Sequence, residues 1–343
     1  MTISAAYYRG GRRFEIERIP ARPPLPGEVQ IDVAFCGICG TDLHAFHGNM
    51  DARIGNHRVI GHEMSGTVAA VGPDVLGVSV GDKVVVRPLD PCGSCPACNA
   101  GYSHICHRLK FLGLDSDGAF QQKWTVPAHT IHVLPAGMPL DRAALIEPLA
   151  VACHDVRMSR LVPGETALVI GGGPIGVLVA LVARHEGADV LVAEINENRL
   201  AKIAELGLKG IDPAKTDVPR EIARLTADKG ADLVFEVSGS QGGADLMTEV
   251  AATRGRIVMV AMHTRKPTVD LFRFFWRELE LIGTRVYEPE DYEKAIALLE
   301  GGAIDVDRLV TDRRPLGEIQ AAFEALENSP VAMKTLIDCT RTA

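Results

Sequence analysis

The stretch TALVIGGGPIGVLVALVARHEGADVLVAE occupies residues 166–194 and is the part of the chain that says most about its fold. A short β-branched strand leads into a glycine-rich turn, and an apolar segment of helical length connects the turn to a second strand. That strand ends in Glu194, 18 residues after the last glycine of the turn. A strand, a Gly-x-Gly-x-x-Gly turn, a helix and a strand ending in an acid form the complete dinucleotide-binding fingerprint. We therefore expect a doubly wound parallel sheet that binds a dinucleotide.

The glycines of this turn have separate roles. Gly171 makes the tight turn, Gly173 lets the backbone approach a pyrophosphate, and Gly176 allows the helix to pack closely on the strand. The free N–H groups at the start of the helix favour the negative charge of the phosphates. The predicted cofactor contacts in this turn are Gly171, Gly173, Pro174, Ile175 and Gly176.

The acid at the end of the second strand, Glu194, indicates which dinucleotide binds. A carboxylate at this position accepts hydrogen bonds from both hydroxyls of the adenosine ribose and repels a 2′-phosphate. The sequence therefore favours NAD as the cofactor.

The uncharged run at residues 166–183 is 18 residues long, which just meets the length of a membrane span. Glycines and a proline divide this run into a short strand and a helix. No basic flank or second hydrophobic segment supports insertion into a bilayer. We therefore assign the run to the dinucleotide-binding domain and expect no contact with a membrane.

The pattern of secondary structure changes along the chain. Short strand-like runs at residues 29–35, 66–71 and 82–86 are separated by Gly and Pro, which is typical of a compact β domain. After residue 164 strands and helices alternate, which predicts a parallel sheet. The predicted later elements are strands at 231–237, 255–260 and 279–284, helices at 292–299 and 316–327, and a strand at 334–338.

A compact loop at residues 92–106 reads CGSCPACNAGYSHIC and contains four cysteines. Two-residue gaps let the loop turn so that successive sulfurs face one point about 2.3 Å from a zinc ion. The alternative is disulfide bonds, but short Cys-x-x-Cys bridges are strained and nothing else marks a secreted chain. We predict a closed, structural zinc site with the ligands Cys92, Cys95, Cys98 and Cys106.

A second group of potential ligands is divided between residues 39–44, which read CGTDLH, and residues 61–63, which read GHE. A catalytic zinc keeps three protein ligands and leaves one position for water or substrate, so a thiol, an imidazole and a carboxylate from separate segments fit an open site. The alternative is that Cys36 and Cys39 form a redox pair or are two buried thiols.

Together these motifs resemble those of the zinc-dependent medium-chain dehydrogenases, in the branch that contains sorbitol, butanediol and threonine dehydrogenases. The resemblance extends over essentially the whole chain and includes Glu147-Pro148-Leu149 with His154 after it. It implies an α/β protein with a GroES-like, β-rich catalytic domain and a Rossmann domain with a doubly wound parallel sheet. The implied boundaries are 1–150 for the catalytic domain with its zinc lobe at 88–110, 151–286 for the NAD-binding domain, and 287–343 for the return to the catalytic domain.

The resemblance also implies the metal content. Two zinc ions per chain are expected, one of them in the four-cysteine lobe. The catalytic zinc would be held by Cys39, which the family pattern selects over Cys36, by His62, and by Glu63, Glu147 or both.

The same resemblance implies a path for the proton that leaves the alcohol. The Thr41 hydroxyl would pass the proton outward, and His44, whose unperturbed pKa is near 6.5, would carry it to solvent. A substrate hydroxyl next to the reacting one is expected to hydrogen-bond Glu147 or a zinc-held water, and Asp42 is expected to hydrogen-bond a zinc ligand.

The remaining cofactor contacts also follow from the family pattern. Arg199 is expected near the adenine ribose, which leaves a minor case for NADP. The segments after the fourth and later strands are expected to hold the nicotinamide. The residues implied there are Val260, Met262, Thr284 and Arg285.

Composition agrees with these expectations. A chain of 343 residues exceeds what a single core usually supports, so two domains are expected. A net charge of −8 argues against nucleic-acid binding. No signal peptide is recognisable, and eight cysteines suit a reducing cytoplasm in which thiolates hold metal. A homo-oligomer, either a tetramer or a dimer, is expected.

The expected reaction is the zinc- and NAD-dependent oxidation of a secondary alcohol to a ketone by hydride transfer. A carboxylate among the zinc ligands and a second acid nearby would make the substrate pocket polar, which favours a polyol or a vicinal diol. L-Threonine is the chief competing substrate, and Arg285 is the cation that would bind its carboxylate. A zinc-dependent dehydrogenase of simple alcohols is the other alternative.

Overall fold

The computed structural model describes residues 1–329 and 331–342, so that Pro330 and Ala343 of the predicted segment 287–343 lie outside the described residues. The strands of the described chain are β1 (Thr2–Tyr8), β2 (Phe14–Pro20), β3 (Glu28–Gly37), β4 (Arg58–Val59), β5 (Glu63–Val71), β6 (Lys83–Val86), β7 (Leu89–Asp90), β8 (Lys110–Phe111), β9 (Lys123–Pro127), β10 (Ile131–Val133), β11 (Thr166–Ile170), β12 (Asp189–Ala193), β13 (Lys209–Ile211), β14 (Ala231–Glu236), β15 (Ala251–Met259), β16 (Glu280–Gly283), β17 (Val310–Pro315) and β18 (Lys334–Asp338).

The α-helices lie between these strands, and most are short. They are α1 (Gly40–Phe46), α2 (Asp51–Ile54), α3 (Pro96–Asn99), α4 (Leu140–Ala143), α5 (Ile146–Met158), α6 (Pro174–His185), α7 (Glu197–Glu205), α8 (Val218–Leu225), α9 (Gln241–Val250), α10 (Leu271–Arg277), α11 (Pro289–Glu300) and α12 (Ile319–Asn328). The helix predicted at 316–327 therefore begins as a 3₁₀ turn at Leu316–Glu318 and becomes α-helical at Ile319.

The chain divides into two compact units. The discontinuous unit comprises Met1–Glu147 and Glu288–Ala343, and the inserted unit comprises Pro148–Tyr287. The division falls within α5 on one side and just before α11 on the other.

The inserted unit contains the sheet that the glycine-rich turn predicted. Its order is β13-β12-β11-β14-β15-β16, and every neighbouring pair in the described sheet is parallel. Because β12 and β14 flank β11 on opposite sides, the strand order reverses beside β11. In doubly wound sheets a ligand binds at such a reversal, outside the carboxyl ends of the strands. The predicted α/β class with a Rossmann-type sheet is confirmed.

The discontinuous unit is rich in β structure. In its described residues one sheet has the order β10-β6-β5-β3-β18-β17, with β9 also paired to β3, and smaller sheets have the orders β2-β1-β4 and β7-β8. Strand β18 pairs antiparallel with β3, although about 300 residues separate them in the sequence, with Leu336 opposite Gly37. The far end of the described chain is therefore built into the same sheet as β3 and β5.

The uncharged run at 166–183 is divided as expected. It contains β11 and most of α6, with the glycine turn between them. No helix in the described residues is long and apolar enough to cross a bilayer.

Candidate metal and cofactor sites

The four cysteines of the loop at 92–106 converge on one point. Their sulfurs all lie within 4.8 Å of one another. The Sγ–Sγ distances are 3.5 Å for Cys95 to Cys98, 3.7 Å for Cys95 to Cys106 and 3.4 Å for Cys92 to Cys106. Thiolates placed tetrahedrally 2.3 Å from zinc are about 3.8 Å apart, whereas a disulfide is about 2.05 Å long. All eight cysteines lie among the described residues and are free thiols, so the geometry fits a metal ion and not disulfides.

Hydrogen-bond donors surround these sulfurs. The backbone N–H of His107 donates to Cys95 Sγ at 3.4 Å, and that of Arg108 donates to Cys106 Sγ at 3.3 Å. The Arg108 guanidinium donates to Cys92 Sγ at 3.4 Å. The Ser94 backbone and then Arg108 lower the pKa of Cys92 to about 5. These donors favour the thiolate forms of Cys92 and Cys95, whereas burial and the neighbouring thiols raise the pKa of Cys98 to about 11.

The second group consists of Cys39, His62 and Glu63, whose ligand atoms also lie within 4.8 Å of one another. Cys39 stands immediately before α1, and Glu63 begins β5, directly opposite Gly37 of β3. A Cβ atom on Gly37 would lie 2.3 Å from Glu63 Oε2, so the carboxylate occupies space that only glycine leaves. At Gly61, φ is +96° and a Cβ atom would lie 2.8 Å from the Phe120 ring, so glycine is required there too.

Asp42 supports this group from a fully buried position on α1. Its Oδ2 accepts a hydrogen bond from the Cys39 backbone N–H at 2.9 Å. Its Oδ1 lies 3.6 Å from Nδ1 of His62. Burial alone would lower the pKa of His62, but the negative charges of Asp42 and Cys39 outweigh it and raise this pKa well above its usual value. Asp42 therefore holds the Cys39 backbone by a hydrogen bond and acts on the His62 ring through its charge.

Lys334, the first residue of β18, contacts the group in a way that the sequence did not predict. Its buried Nζ donates to both carboxylate oxygens of Glu63, at 2.8 and 2.6 Å, and to the Ile38 carbonyl at 3.2 Å. Burial would lower the pKa of Lys334, but Glu63 and then Cys39 raise it, so the lysine is a cation. The signal in the sequence was a lysine at the start of a short strand with Leu336 and Ile337 at its centre.

The other predicted catalytic residues are Thr41, His44 and Glu147. Thr41 and His44 are partly exposed and three residues apart on α1, so they share one face of the helix. Glu147 is buried, and its charge acts on both His62 and Lys334. Among the described residues, the three-ligand group does not include Glu147.

In the inserted unit, the glycine turn joins β11 to α6 at the carboxyl edge of the sheet. Gly171 has φ +103°, and a Cβ atom on Gly176 would lie 1.9 Å from the Gly171 carbonyl oxygen. A Cβ atom on Gly173 would have only Arg199 Nη1 nearby, at 3.9 Å, so the space beside its backbone is open. The turn continues into α6, whose first residues are Pro174 and Ile175. This open backbone before a helix N-terminus fits a pyrophosphate group.

Glu194 lies directly after β12 and is held by the backbone. Its Oε2 accepts from the Gly172 N–H, and its Oε1 accepts from the N–H groups of Ile195 and Asn196, each at 2.8 Å. Arg199 Nη1 is 3.7 Å from Oε2. These bonds fix a buried carboxylate beside the turn and were not foreseen from the sequence. A carboxylate offers about four acceptor positions, so one position is left for a ribose hydroxyl, one fewer than the sequence predicted.

The residues predicted to hold nicotinamide follow β15 and β16. The Val260 N–H donates to the Glu236 carbonyl at 3.0 Å, and the Thr284 hydroxyl donates to the Met259 carbonyl at 3.2 Å. Met262 and Arg285 are exposed. All of these residues belong to the carboxyl edge of the sheet, the same edge as the glycine turn.

A cavity of about 310 Å³ in the discontinuous unit lies elsewhere, beside Trp124 and Lys110. Its lining contains none of the predicted site residues, so the ligand groups and the glycine turn remain the best candidates for the chemistry.

Comparisons with known proteins match most of the chain. A family model described as an alcohol dehydrogenase GroES-like domain matches residues 25–136, and one described as a zinc-binding dehydrogenase matches residues 174–301. A 2-dehydro-3-deoxy-L-galactonate 5-dehydrogenase from Pseudoalteromonas atlantica is 52% identical over 335 residues, 98% of each chain. An (R,R)-butanediol dehydrogenase from Neisseria gonorrhoeae is 34% identical and covers 98% of this chain and 99% of its own.

Solved structures show the same fold with either nicotinamide cofactor. An alcohol dehydrogenase from Escherichia coli in complex with NADH has a TM-score of 0.92 and 26% identity. A zinc-binding dehydrogenase from Sinorhizobium meliloti bound to NADP has a TM-score of 0.92 and 28% identity. In both cases the match covers 98% of this chain and 99% of the other.

Proposed function

The chain belongs to the zinc-dependent medium-chain dehydrogenases, and from this premise we propose that it oxidises a secondary hydroxyl of a polyhydroxylated substrate to a ketone. NAD would accept the hydride. The observation that carries the proposal is the converging group Cys39, His62 and Glu63 in a chain of this family. The relative at 52% identity makes the 5-hydroxyl of 2-dehydro-3-deoxy-L-galactonate the first substrate to test.

The side chains present fit a metal ion in both groups. One thiol, one imidazole and one carboxylate would hold a catalytic zinc, with Glu147 as the alternative carboxylate, and the four cysteines of the loop at 92–106 would hold a second, structural ion. When bound, zinc supplies Lewis acidity, which lowers the pKa of an alcohol oxygen. The second ion would stabilise the folded loop.

The side chains of this protein would perform the remaining steps. Asp42 holds the Cys39 backbone by a hydrogen bond and acts on the His62 ring through its charge, and Lys334 fixes the Glu63 carboxylate. The proton of the substrate hydroxyl would pass to Thr41 and then through His44 to solvent, while the hydride on the same carbon passes to nicotinamide. An alcohol and NAD⁺ thus yield a ketone, NADH and one proton.

The proposed cofactor is NAD, and the support for it is the buried carboxylate of Glu194. This carboxylate lies at the end of β12, where a 2′-phosphate would meet a negative charge. Arg199, 3.7 Å from it, is a nearby cation that would favour NADP. Loss of a charged hydrogen bond costs about 1.5–3 kcal/mol, so Glu194→Ala should shift the NAD/NADP ratio of kcat/KM at least about tenfold toward NADP. Equal use of both cofactors by the unchanged enzyme would refute this assignment.

The substrate class can be tested by initial rates, read as NADH absorbance. We would compare kcat/KM for 2-dehydro-3-deoxy-L-galactonate, sorbitol, 2,3-butanediol, L-threonine and ethanol. The proposal predicts the highest value for a polyhydroxylated substrate. A preference for ethanol would refute the polar pocket, and a preference for L-threonine would replace the proposed substrate class.

The exposed Arg285 gives this comparison a second use. Both the sugar acid and threonine carry a carboxylate, whereas sorbitol and butanediol are neutral. If Arg285 binds the carboxylate, Arg285→Ala will lower kcat/KM for the two acids and leave the neutral substrates unchanged. Equal losses for all four substrates would show that Arg285 does not recognise the carboxylate.

The proposed assembly is a homo-oligomer that includes a twofold dimer, and its support lies in α10 and β16. Four large apolar side chains of the seven-residue α10 are at least 65% exposed, namely Leu271, Phe272, Phe275 and Trp276. In the described sheet β16 is an edge strand, paired only with β15, and its Leu281 is 52% exposed. An edge strand can pair antiparallel with a second copy of itself, which would cover both the strand and the apolar helix.

Light scattering after gel filtration tests this assembly. Trp276→Glu would place a charge in the covered surface and should lower the molar mass to that of the monomer. Leu76→Glu is the matched control, since Leu76 is 91% exposed in the discontinuous unit. An unchanged mass for Trp276→Glu would refute this interface.

We also propose that the protein works in the cytoplasm. The eight free cysteines support this location, because a reducing compartment keeps thiols available to bind metal.

A further inference from the structure

Glu236, the last residue of β14, carries a carboxylate that is fully buried at the carboxyl edge of the inserted unit's sheet. Its Oε1 accepts hydrogen bonds from the backbone N–H groups of Ser238 at 3.0 Å and Gly239 at 3.1 Å, and also from the Ser238 hydroxyl. A buried carboxylate is costly unless it is hydrogen-bonded or paired, so these contacts fix the loop that follows β14.

The same residue also holds the loop that follows β15. Its Oε2 lies 3.1 Å from Nε2 of His263, whose side chain is 11% exposed. Its backbone carbonyl accepts from the N–H groups of Val260 and Ala261, both at 3.0 Å. Glu236 and His263 therefore connect the loop that follows β14 to the loop that follows β15. Past the ends of these two strands, the ladder of hydrogen bonds between them does not continue in the described chain.

Close packing shows that this arrangement is tightly constrained. A Cβ atom on Gly243 of α9 would lie 2.5 Å from Glu236 Oε1, and one on Gly239 would lie 3.2 Å from the Met262 carbonyl oxygen. A Cβ atom on Gly171 of the cofactor turn would lie 3.0 Å from the Ser238 N–H. The loop after β14 is thus in contact with the dinucleotide turn on one side and with the loop after β15 on the other.

The sheet order indicates which half of a dinucleotide these loops face. Glu194 follows β12, on one side of β11, and is the proposed partner of the adenosine ribose. Strands β14 and β15 lie on the other side of β11. A dinucleotide whose pyrophosphate is bound at the turn after β11 extends across this reversal, so its second half lies outside β14 and β15.

We propose that Glu236 and His263 are positioning residues that hold the loop at 260–263 for the nicotinamide half of the cofactor. This inference rests on the proposed use of NAD. It assigns the pair no contact with the substrate and no step in hydride transfer. The pair acts through the loop, whose Val260 and Met262 are the proposed nicotinamide contacts.

Two ligands separate this role from a merely structural one. NADH contains the nicotinamide, and ADP-ribose contains everything up to the second ribose but lacks the nicotinamide ring. We would measure Kd for both by calorimetry, together with kcat and Tm, for Glu236→Gln and His263→Ala. His263→Gln restores an N–H donor and serves as the conservative variant. The matched control is Glu165→Gln, because Glu165 pairs with Arg256 at the amino edge of the same sheet.

The proposal predicts that Glu236→Gln and His263→Ala raise the Kd of NADH about tenfold, the usual effect of losing a charged hydrogen bond. The Kd of ADP-ribose should change less than about twofold, kcat should fall, and His263→Gln should recover part of the affinity. Glu165→Gln should change neither Kd.

Equal weakening of NADH and ADP-ribose, or no weakening of either, would overturn the positioning role. The second variant guards against misfolding, because His263 lies at the rim of the unit and its replacement leaves Glu236 bonded to the backbone. If the unchanged protein binds neither ligand, the proposed use of NAD fails first, and the inference fails with it. If it binds both and only the variants contradict the expectation, the inference alone fails.

Discussion

The four-cysteine loop and the group formed by Cys39, His62 and Glu63 use metal-binding side chains in contrasting ways. The loop draws four identical donors from residues 92–106 and surrounds them with N–H groups. The second group draws three different donors from two segments, and one of these donors already has a cation, Lys334, on both of its oxygens. A closed set of like donors suits a structural ion, whereas a mixed set suits an ion that must exchange a ligand during turnover.

The largest effect, on the stability of the fold, is expected when one ligand of the four-cysteine loop is removed. Cys95→Ala removes a buried sulfur that contacts two others, at 3.5 and 3.7 Å. Because the binding energy of a structural zinc is folding energy, about 10–16 kcal/mol in isolated zinc fingers, we expect most of the protein to be insoluble or to unfold at much lower temperature. Thermal unfolding and metal analysis would measure this. Ser94→Ala, an exposed neighbour, is the control, and a normal Tm for Cys95→Ala would contradict a structural role.

Breaking the mixed set should affect activity more than folding. Cys39→Ala removes the partly exposed thiol before α1, and we expect kcat/KM to fall about a thousandfold or more, a loss of roughly 4 kcal/mol, with Tm little changed. Cys36→Ala is the matched control, because Cys36 lies in the same Cys-x-x-Cys and is not in the ligand group. If Cys36→Ala is the inactive variant, the selection of Cys39 is wrong. Metal analysis should give two zinc ions in the unchanged protein, and one would contradict the comparison.

Lys334 offers a sharper test, because it is a buried cation, whereas Arg108, the cation beside Cys92 in the four-cysteine loop, is exposed. Lys334→Met leaves Glu63 buried without its cation, and removal of one partner from a buried pair typically costs about 3–5 kcal/mol. We expect urea unfolding to show that loss in the metal-free protein and a smaller loss with zinc bound, because the ion supplies the missing positive charge. Lys334→Arg keeps the charge and should be milder. An equal loss of unfolding free energy with and without zinc would show that Glu63 does not contact the metal.

The smallest effect is expected when one of the two candidate carboxylates, Glu63 or Glu147, is neutralised. Glu63→Gln and Glu147→Gln keep the side-chain volume and remove the charge. The change at the carboxylate that contacts the ion should weaken zinc binding more. The change at the other carboxylate should alter zinc affinity by about ten- to a hundredfold, because its charge acts on His62 and Lys334. Competition with a zinc chelator, followed by kcat, would rank the two. If neither change alters zinc affinity, the mixed set is not a metal site.

The sequence predicted those features that depend on neighbours close along the chain. The cysteine spacing and the glycine turn are local, and the structure shows converging sulfurs and the expected strand, turn and helix. The contact of Lys334 with Glu63 spans 271 residues, and no spacing rule links such distant positions. The backbone bonds of Glu194 and the pairing of Glu236 with His263 were also not predicted, because they depend on how two loops meet at a sheet edge.

The antiparallel pairing of β3 with β18 has a consequence for the newly made chain. At about 5–20 residues per second, a ribosome needs roughly 15–60 s to proceed from Gly37 to Leu336. The cysteines of the loop at 92–106 emerge within about 1–3 s of one another and can close early. The ligand group of Cys39, His62 and Glu63 leaves the ribosome long before Lys334. The entire inserted unit is synthesised before Lys334 can contact Glu63. In nascent chains the four-cysteine loop is therefore expected to fold first. The edge of β3 stays unpaired until β18 is made, so it must be kept from pairing with other chains during that time.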